Sequence, residues 1–171
     1  GQKGLAIFGF TRKTIMQAHA SNLIAWVENG YDTRILHSNL SFPLLKELAR
    51  AGDATACRVL EFEIEARLKE RFTPTTLVII ETCKEFLTPD MLAFLARDGD
   101  YEVRMRVAKN LNAPVTVLEL LARDDDDIVR TYVAGNPNTP IPVLENLARD
   151  KYGGARREVA RNLNTSVRVL E

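Results

Sequence analysis

The chain is poor in the residues that most often carry catalytic or metal chemistry. Its 171 residues include only two cysteines and two histidines. Cys57 and Cys83 fall on separate predicted helices, which indicates two reduced, mostly buried thiols rather than a disulfide. His19 and His37 have no companion at metal-ligand spacing, so neither is predicted to be a ligand or a catalyst. These absences disfavour an enzyme and predict no metal site.

Charge of one sign and long apolar runs are also missing. Lys plus Arg and Asp plus Glu each number 23, so the formal net charge is zero. This balance disfavours non-specific binding to nucleic acid or to an anionic membrane. No apolar run approaches the roughly 18 residues that a membrane-spanning helix needs, and no signal segment opens the chain. We therefore expect a cytoplasmic protein. Because the first residue is Gly1 and not Met, we also expect either a tag remnant or a chain cut from a longer protein.

A fixed internal repeat is the strongest positive feature of the sequence. The tetrapeptide Leu-Ala-Arg-Asp begins at Leu95, Leu121 and Leu147, so it returns at a step of 26 residues. The same step relates further leucines, at positions 92, 118, 144 and 170, and asparagines, at positions 110, 136 and 162. A period of this length is typical of stacked repeat proteins, because each small unit buries its apolar face only against its neighbours.

Each regular unit is predicted to contain two short helices. In the unit that starts at residue 114, the first helix covers 114–123. The second helix begins after Asp124 and ends at 136–140, where asparagine and proline favour a turn. The aspartate run 124–127 lacks the ligand pattern of a calcium loop, and we interpret it as capping the second helix. In the last full unit 151–154 reads Lys-Tyr-Gly-Gly in place of the acidic cap, which predicts either a loosened loop or a distinct contact point, and we favour the loosened loop.

The N-terminal parts are less regular. Residues 1–39 form a poorly defined segment, with an extended or strand-like stretch at 4–10 and one helix at about 12–28 that Thr11 caps and Asn29-Gly30 ends. Residues 31–41 are predicted to be a connector.

Residues 40–87 are predicted to be a degenerate helical-repeat region. One helix starts at Phe42, and Gly52-Asp53 ends it and caps the next. This second helix covers about 54–71, with Phe62 in its apolar content. Thr73 is predicted to cap a third helix. Its segment 77–80 also has strand propensity, but a buried helix fits the flanking residues better.

The segment 122–150, ARDDDDIVRTYVAGNPNTPIPVLENLARD, resembles the leucine-rich repeat variant family of short helical repeats. The resemblance covers 88–171, the regular repeats, of which the last is truncated. It implies an all-α fold, a right-handed α-solenoid of stacked two-helix repeats similar to HEAT repeats, without catalytic activity. The unit here is slightly longer than the family's, so its second helix is expected to be more fully α-helical. Some members hold an iron–sulfur cluster on four cysteines, which two cysteines cannot supply, so no cofactor is predicted.

Two arginine rows recur once per unit and are the main candidates for binding: Arg97, Arg123 and Arg149 form one, and Arg104, Arg130 and Arg156 form the other. A row of free arginines would track phosphates. Residues 88–171 contain twelve basic and thirteen acidic side chains, however. We therefore favour arginine–aspartate bridges between successive units. Arg157 and Arg161 raise the positive charge near the C-terminus and mark a second candidate site, for phosphate or an acidic peptide. The asparagine rows are interpreted as partners of backbone groups at turns.

Two functions are consistent with these features. The first is a non-enzymatic scaffold that binds a protein partner of unknown identity along a helical array. The second is a nucleic-acid-associated HEAT-like protein that binds the phosphate backbone through the arginine row, which the charge balance disfavours. Finally, Val167, Val169 and Leu170 open another unit that stops at Glu171, and this predicts an apolar edge covered by self-association or by a continuation of the chain.

Overall fold

The computed structural model describes residues 12–36 and 38–165, and all regular structure in these ranges is helical. The predicted extended segment at 4–10, the Thr11 cap and the apolar edge at 167–170 lie outside the described residues. The all-α prediction is confirmed for the part that is described. The chain divides into two compact units, 1–63 and 64–171.

The first unit contains helices α1 (Arg12–Glu28) and α2 (Ser38–Arg50) and most of α3 (Ala54–Lys69). The predicted left-handed turn after α1 is confirmed, since Gly30 has φ 63° and Tyr31 continues it with φ 67°. The tilted rings of Trp26 and Tyr31 lie 4.9 Å apart between centroids. The Tyr31 hydroxyl donates to Asp53 Oδ2 at 2.6 Å, and Asp53 Oδ1 accepts from the N–H of Ala56. Asp53 therefore caps α3, as predicted.

Two details of this region were predicted wrongly. Helix α2 begins at Ser38, four residues before Phe42, so the connector is shorter than predicted. Three of the four residues in its first turn are polar, Ser38, Asn39 and Ser41, whereas the prediction placed the start where the apolar pattern begins. Phe62 of α3 is 68% exposed, because the buried face of that helix follows Ala56, Leu60 and Ile64 at four-residue steps.

The second unit continues with helix α4 (Thr73–Thr82), a 3₁₀ turn at Lys84–Phe86 and three helix pairs. Residues 77–80 are helical, as predicted. Thr73 does not cap α4, because Phe72 is the N-cap residue and makes no side-chain cap bond. Pro74 accounts for the start, since it lies in the first turn, where a missing N–H costs nothing. Cys83, which ends α4, is buried, and both Cys57 and Cys83 are free thiols.

The helix pairs follow the predicted 26-residue step. They are α5 (Pro89–Leu95) with α6 (Tyr101–Lys109), α7 (Val115–Leu121) with α8 (Asp127–Gly135), and α9 (Ile141–Leu147) with α10 (Gly153–Arg161). Helix α8 packs against both α6 and α10, and α4 packs on α6. Each first helix contacts the second helix of its own pair. Leu118 and Leu144 are fully buried, so the repeated leucines form the apolar seams of the array.

The caps explain where the second helices begin. Asp100 caps α6, and Asp126 caps α8 by accepting from the N–H groups of Ile128 and Val129. The capping interpretation of the aspartate run is therefore confirmed. The loosened loop predicted at 151–154 is wrong, since Gly153 and Gly154 are the first residues of α10. The turn before them is held by the Tyr152 N–H, which donates to Asp150 Oδ1 at 2.8 Å.

Candidate partner-binding site

Arg104 and Arg130, one per repeat, bridge successive repeats. Arg104 Nε donates to Asp124 Oδ2 at 2.7 Å and its Nη2 donates to Asp124 Oδ1 at 3.0 Å. Arg130 holds Asp150 in the same way, at 2.7 and 3.1 Å. Such bidentate pairs are the strongest of the charge-assisted hydrogen bonds. The predicted arginine–aspartate bridges are confirmed at both junctions.

The remaining donor of each arginine fixes the preceding turn. Arg130 Nη1 donates to the carbonyl oxygens of Asp124 and Asp125 at 2.7 and 3.0 Å, and Arg104 Nη1 makes the equivalent bonds to Asp98 and Gly99. The Arg130 side chain is only 7% exposed. These two guanidinium groups therefore have few donors left for a phosphate.

Protonation follows from this pairing. The hydrogen bond from Arg130 holds the pKa of Asp150 below its ordinary value, against the opposing effect of burial. At Asp124, burial acts to raise the pKa, but the bonds from Arg104 and from the N–H of Asp126 outweigh it, and the pKa is lowered. Both aspartates are therefore charged at neutral pH.

The other predicted arginines occupy a different environment. Arg156, Arg157 and Arg161 are exposed on α10. Arg161 pairs with Glu158 at 3.0 Å, and Arg156 Nη1 donates to the carbonyl oxygens of Asp150 and Lys151. Of the five candidate arginines, two therefore pair with an aspartate of the next repeat, and three lie exposed on α10.

The asparagine rows also connect successive repeats. Asn136 Nδ2 donates to the carbonyl oxygens of Ala108 and Asn110 at 2.8 and 3.0 Å. Asn162 repeats this arrangement one unit later, on Ala134 and Asn136. The prediction that the asparagines satisfy backbone groups is confirmed, although these amides bond to the preceding unit as well as to their own turn.

A groove of about 970 Å³ crosses the surface of the second helices. Residues from the C-terminal parts of α4 and α6, from α8 and from the turns that follow these helices line it, and Glu158 of α10 completes it. Leu111 and Tyr132 provide apolar surface there, at 63% and 37% exposure. A cleft of this volume with a few polar groups is a typical binding site, and we take it as the candidate site.

The charged side chains of the groove are mutually balanced. Arg106 Nη1 donates to Glu81 Oε2 at 2.7 Å, and its Nη2 donates to Glu102 Oε1 at 3.1 Å. The lining contains Glu81, Glu85 and Glu158 beside Lys84, Arg106 and Lys109. The groove therefore presents both signs of charge around a partly apolar surface, which suits a peptide segment better than a polyanion.

The sequence prediction missed this groove. Several of its wall positions break the repeat: Arg106, Tyr132 and Glu158 occupy one position in successive units, and Leu111 and Pro137 occupy another. The prediction followed identities at the 26-residue step, and those identities mark the buried seams. Variation at solvent-facing positions of an otherwise regular repeat is the signal that would have located the groove.

These observations define a protein whose regular structure, over residues 12–36 and 38–165, is entirely helical and whose second unit repeats a two-helix module, with a groove on the second helices. No family model matches the chain, and neither the curated proteins nor the solved structures contain a significant match. In the described residues, no helix combines the length and apolarity needed to cross a membrane. Within the same residues, no group of three His, Cys, Asp or Glu side chains is placed to hold a metal ion.

Proposed function

We propose that the protein is a non-enzymatic helical-repeat scaffold, a right-handed solenoid of the leucine-rich repeat variant type, that binds a peptide segment of a protein partner. The groove carries this proposal. It combines exposed apolar side chains, Leu111 and Tyr132, with paired charges of both signs. Aromatic and aliphatic side chains surrounded by polar groups are typical of protein-binding surfaces.

The arginine bridges support a protein partner over nucleic acid. Phosphate binding depends on cations that can replace counterions along the backbone. Arg104 and Arg130 instead neutralise Asp124 and Asp150. We expect no measurable binding of double-stranded DNA at low salt, and salt-dependent binding that Arg156→Ala, a change at the exposed member of the same row, abolishes would favour the competing function.

A displayed peptide library tests the proposal directly. Peptides selected on the wild-type chain should lose binding to Leu111→Asp and Tyr132→Ala, because both substitutions alter exposed groove residues. Leu120→Asp is the matched control, since Leu120 is 40% exposed and does not line the groove. Truncating a central aromatic contact is expected to weaken binding by roughly 2 kcal/mol, about thirtyfold. Selected peptides that bind all three variants equally would contradict the proposal.

A further inference from the structure

Two buried nitrogen atoms of the groove lining have no hydrogen-bond partner among the described residues. They are Arg106 Nε and Asn110 Nδ2. The equivalent amides of Asn136 and Asn162 each donate to two carbonyl oxygens of the preceding unit. Before Asn110 the preceding unit ends in a 3₁₀ turn instead, and its amide is left unsatisfied. Both unsatisfied atoms are donors, so a bound group that satisfies them has to be an acceptor.

The two lysines of the groove lie at this same end and are unpaired. Lys84 follows α4 and Lys109 ends α6, and both residues are exposed. Neither ammonium group is paired with a carboxylate of the described residues. Asn112 Nδ2 donates to the carbonyl oxygen of Lys84 at 3.5 Å, so the turn after α6 lies beside Lys84. Both lysines therefore belong to the end of the groove where α4 packs on α6.

The glutamates of the lining already have partners. Glu81 accepts from Arg106 at 2.7 Å. Glu158 Oε1 accepts from Arg161 at 3.0 Å, and Arg161 does not line the groove. Glu85 also takes part in an interaction. The lining has equal numbers of acidic and basic side chains, but the free charges at its α4–α6 end are positive. A carboxylate brought there meets two free cations, whereas an ammonium group meets carboxylates that are already bound.

The position of the apolar surface adds a spacing. Tyr132 lies on α8, which packs on α6. The axes of packed helices are about 8–10 Å apart, and an extended peptide advances about 3.3 Å per residue. A peptide that crosses the helices in an extended form therefore reaches Tyr132 about three residues away from the lysines.

We propose that the peptide bound in the groove carries an aspartate or glutamate whose side-chain carboxylate binds Lys84 and Lys109, with an apolar side chain about three residues away that contacts Tyr132. The proposal rests on the peptide-binding function and adds the chemistry of the partner. One carboxylate fits this end better than a run of phosphates does, because the neighbouring Glu81 and Glu85 would repel a polyanion.

Selection from a displayed peptide library tests the specificity. Random peptides joined to the phage coat by their C-termini offer side-chain carboxylates only. Peptides selected on the wild-type chain should be enriched in Asp or Glu about three residues from an aromatic or aliphatic residue. Selection on Lys84→Glu combined with Lys109→Glu should replace the acidic residue with Lys or Arg, because the charge of the site is reversed.

A matched control separates this local effect from net charge. Lys69 and Lys151 are exposed and do not line the groove. Lys69→Glu combined with Lys151→Glu changes the net charge of the chain by the same amount, and selection on this variant should retain the acidic preference.

The affinity of one selected peptide measures the contact itself. Replacing its acidic residue with the matching amide should weaken binding to the wild-type chain about fivefold to tenfold in fluorescence polarisation. The same replacement should have little effect on Lys84→Gln combined with Lys109→Gln, because the partners of the carboxylate are then absent. This non-additivity identifies the two lysines as those partners.

The outcomes distinguish this proposal from the peptide-binding function. Peptides that depend on Leu111 and Tyr132 but show no acidic preference would overturn the carboxylate assignment alone. An acidic preference that persists unchanged in the Lys84 and Lys109 variants would also overturn it, because the carboxylate would then bind another surface. A library that yields no peptide dependent on the groove would overturn both proposals.

Discussion

Arginine and aspartate twenty residues apart act as the connectors between repeats. The pairing was predictable because both residue types recur at one step and their numbers balance. The two extra bonds from each arginine to the preceding turn were not predictable, because they depend on the path of the loop. Arg130 illustrates the result: one side chain closes its own turn and holds the next repeat.

The Arg130–Asp150 pair predicts a specific acid sensitivity. The pKa of Asp150 is lowered in the folded chain, so the pair stabilises the fold fully above the unfolded pKa of about 3.9 and loses its effect as the pH falls through the folded pKa. Asp150→Asn should reduce the free energy of unfolding at pH 7 by about 3 kcal/mol, because it leaves a buried guanidinium unpaired. It should also flatten the decrease in stability below about pH 4.

Urea unfolding at a series of pH values measures both effects. Asp125→Asn is the control, since it removes the same charge from an exposed side chain in the neighbouring turn. It should change stability by no more than about 0.5 kcal/mol. Identical pH profiles for the two variants would show that Asp150 is not the acid-sensitive group.

The three equivalent asparagines do not all make the same hydrogen bonds, although the repeat pattern predicts that they would. Asn110, Asn136 and Asn162 are equivalent in the repeat, and the amides of the last two bond to the preceding unit. The Asn110 Nδ2 is buried and has no hydrogen-bond partner among the described residues. The preceding unit ends differently, with the 3₁₀ turn at Lys84–Phe86 in place of a regular turn. A repeat pattern therefore predicts a contact only where both neighbours follow it.

The helices that were predicted best are those that repeat. For α5 to α10, three copies of each signal agree, so an ambiguous residue in one unit is resolved by its equivalents. The single copies are less informative: the polar first turn of α2 hid its start, and Phe62 was assigned to the core because one helix gives no second example of which face is buried. The start of α10 was also missed, because Gly153 and Gly154 replace the residues found at the equivalent positions of α6 and α8.

Two helical glycines should respond oppositely to alanine. A Cβ atom on Gly135, the last residue of α8, would lie 3.6 Å from Glu158 Oε2, an ordinary contact. Gly135→Ala should therefore stabilise the chain by about 0.5 to 1 kcal/mol through helix propensity. A Cβ atom on Gly154 would lie 2.5 Å from Tyr152 Cε1 and 3.2 Å from Thr131 Oγ1, so Gly154→Ala should give no gain or a loss.

Thermal unfolding distinguishes these outcomes. The loss from Gly154→Ala should become smaller in a Tyr152→Ala background, because the closest obstructing atom is then absent. Equal shifts in Tm for the Gly135 and Gly154 variants would contradict this account of the α10 start.

The repeats of residues 88–165 pack mainly on their sequence neighbours, and this determines how stability is distributed. In such an array the stability of each unit depends on its own contacts and on the surfaces it shares with the next. The two-helix module and its stacking were predictable, because they follow from the period and the apolar positions. The groove was not, since it depends on residues that differ between units and on how α4 ends beside α6.

Matched cavities in α8 and α10 test this linear coupling. Val133 and Val159 occupy the same repeat position and are 0% and 1% exposed, so each substitution to alanine should cost about 2 kcal/mol locally. Helix α8 packs on both α6 and α10, whereas the described neighbours of α10 are α8 and α9. In native-state hydrogen exchange, Val133→Ala should lower the protection of amides in α6 and α10 together, because both lose part of their support. Val159→Ala should lower protection in α10 and less in α8, and it should leave α6 nearly unchanged. Equal losses across all three helices in both variants would show that the unit unfolds as one cooperative block and would contradict nearest-neighbour stacking.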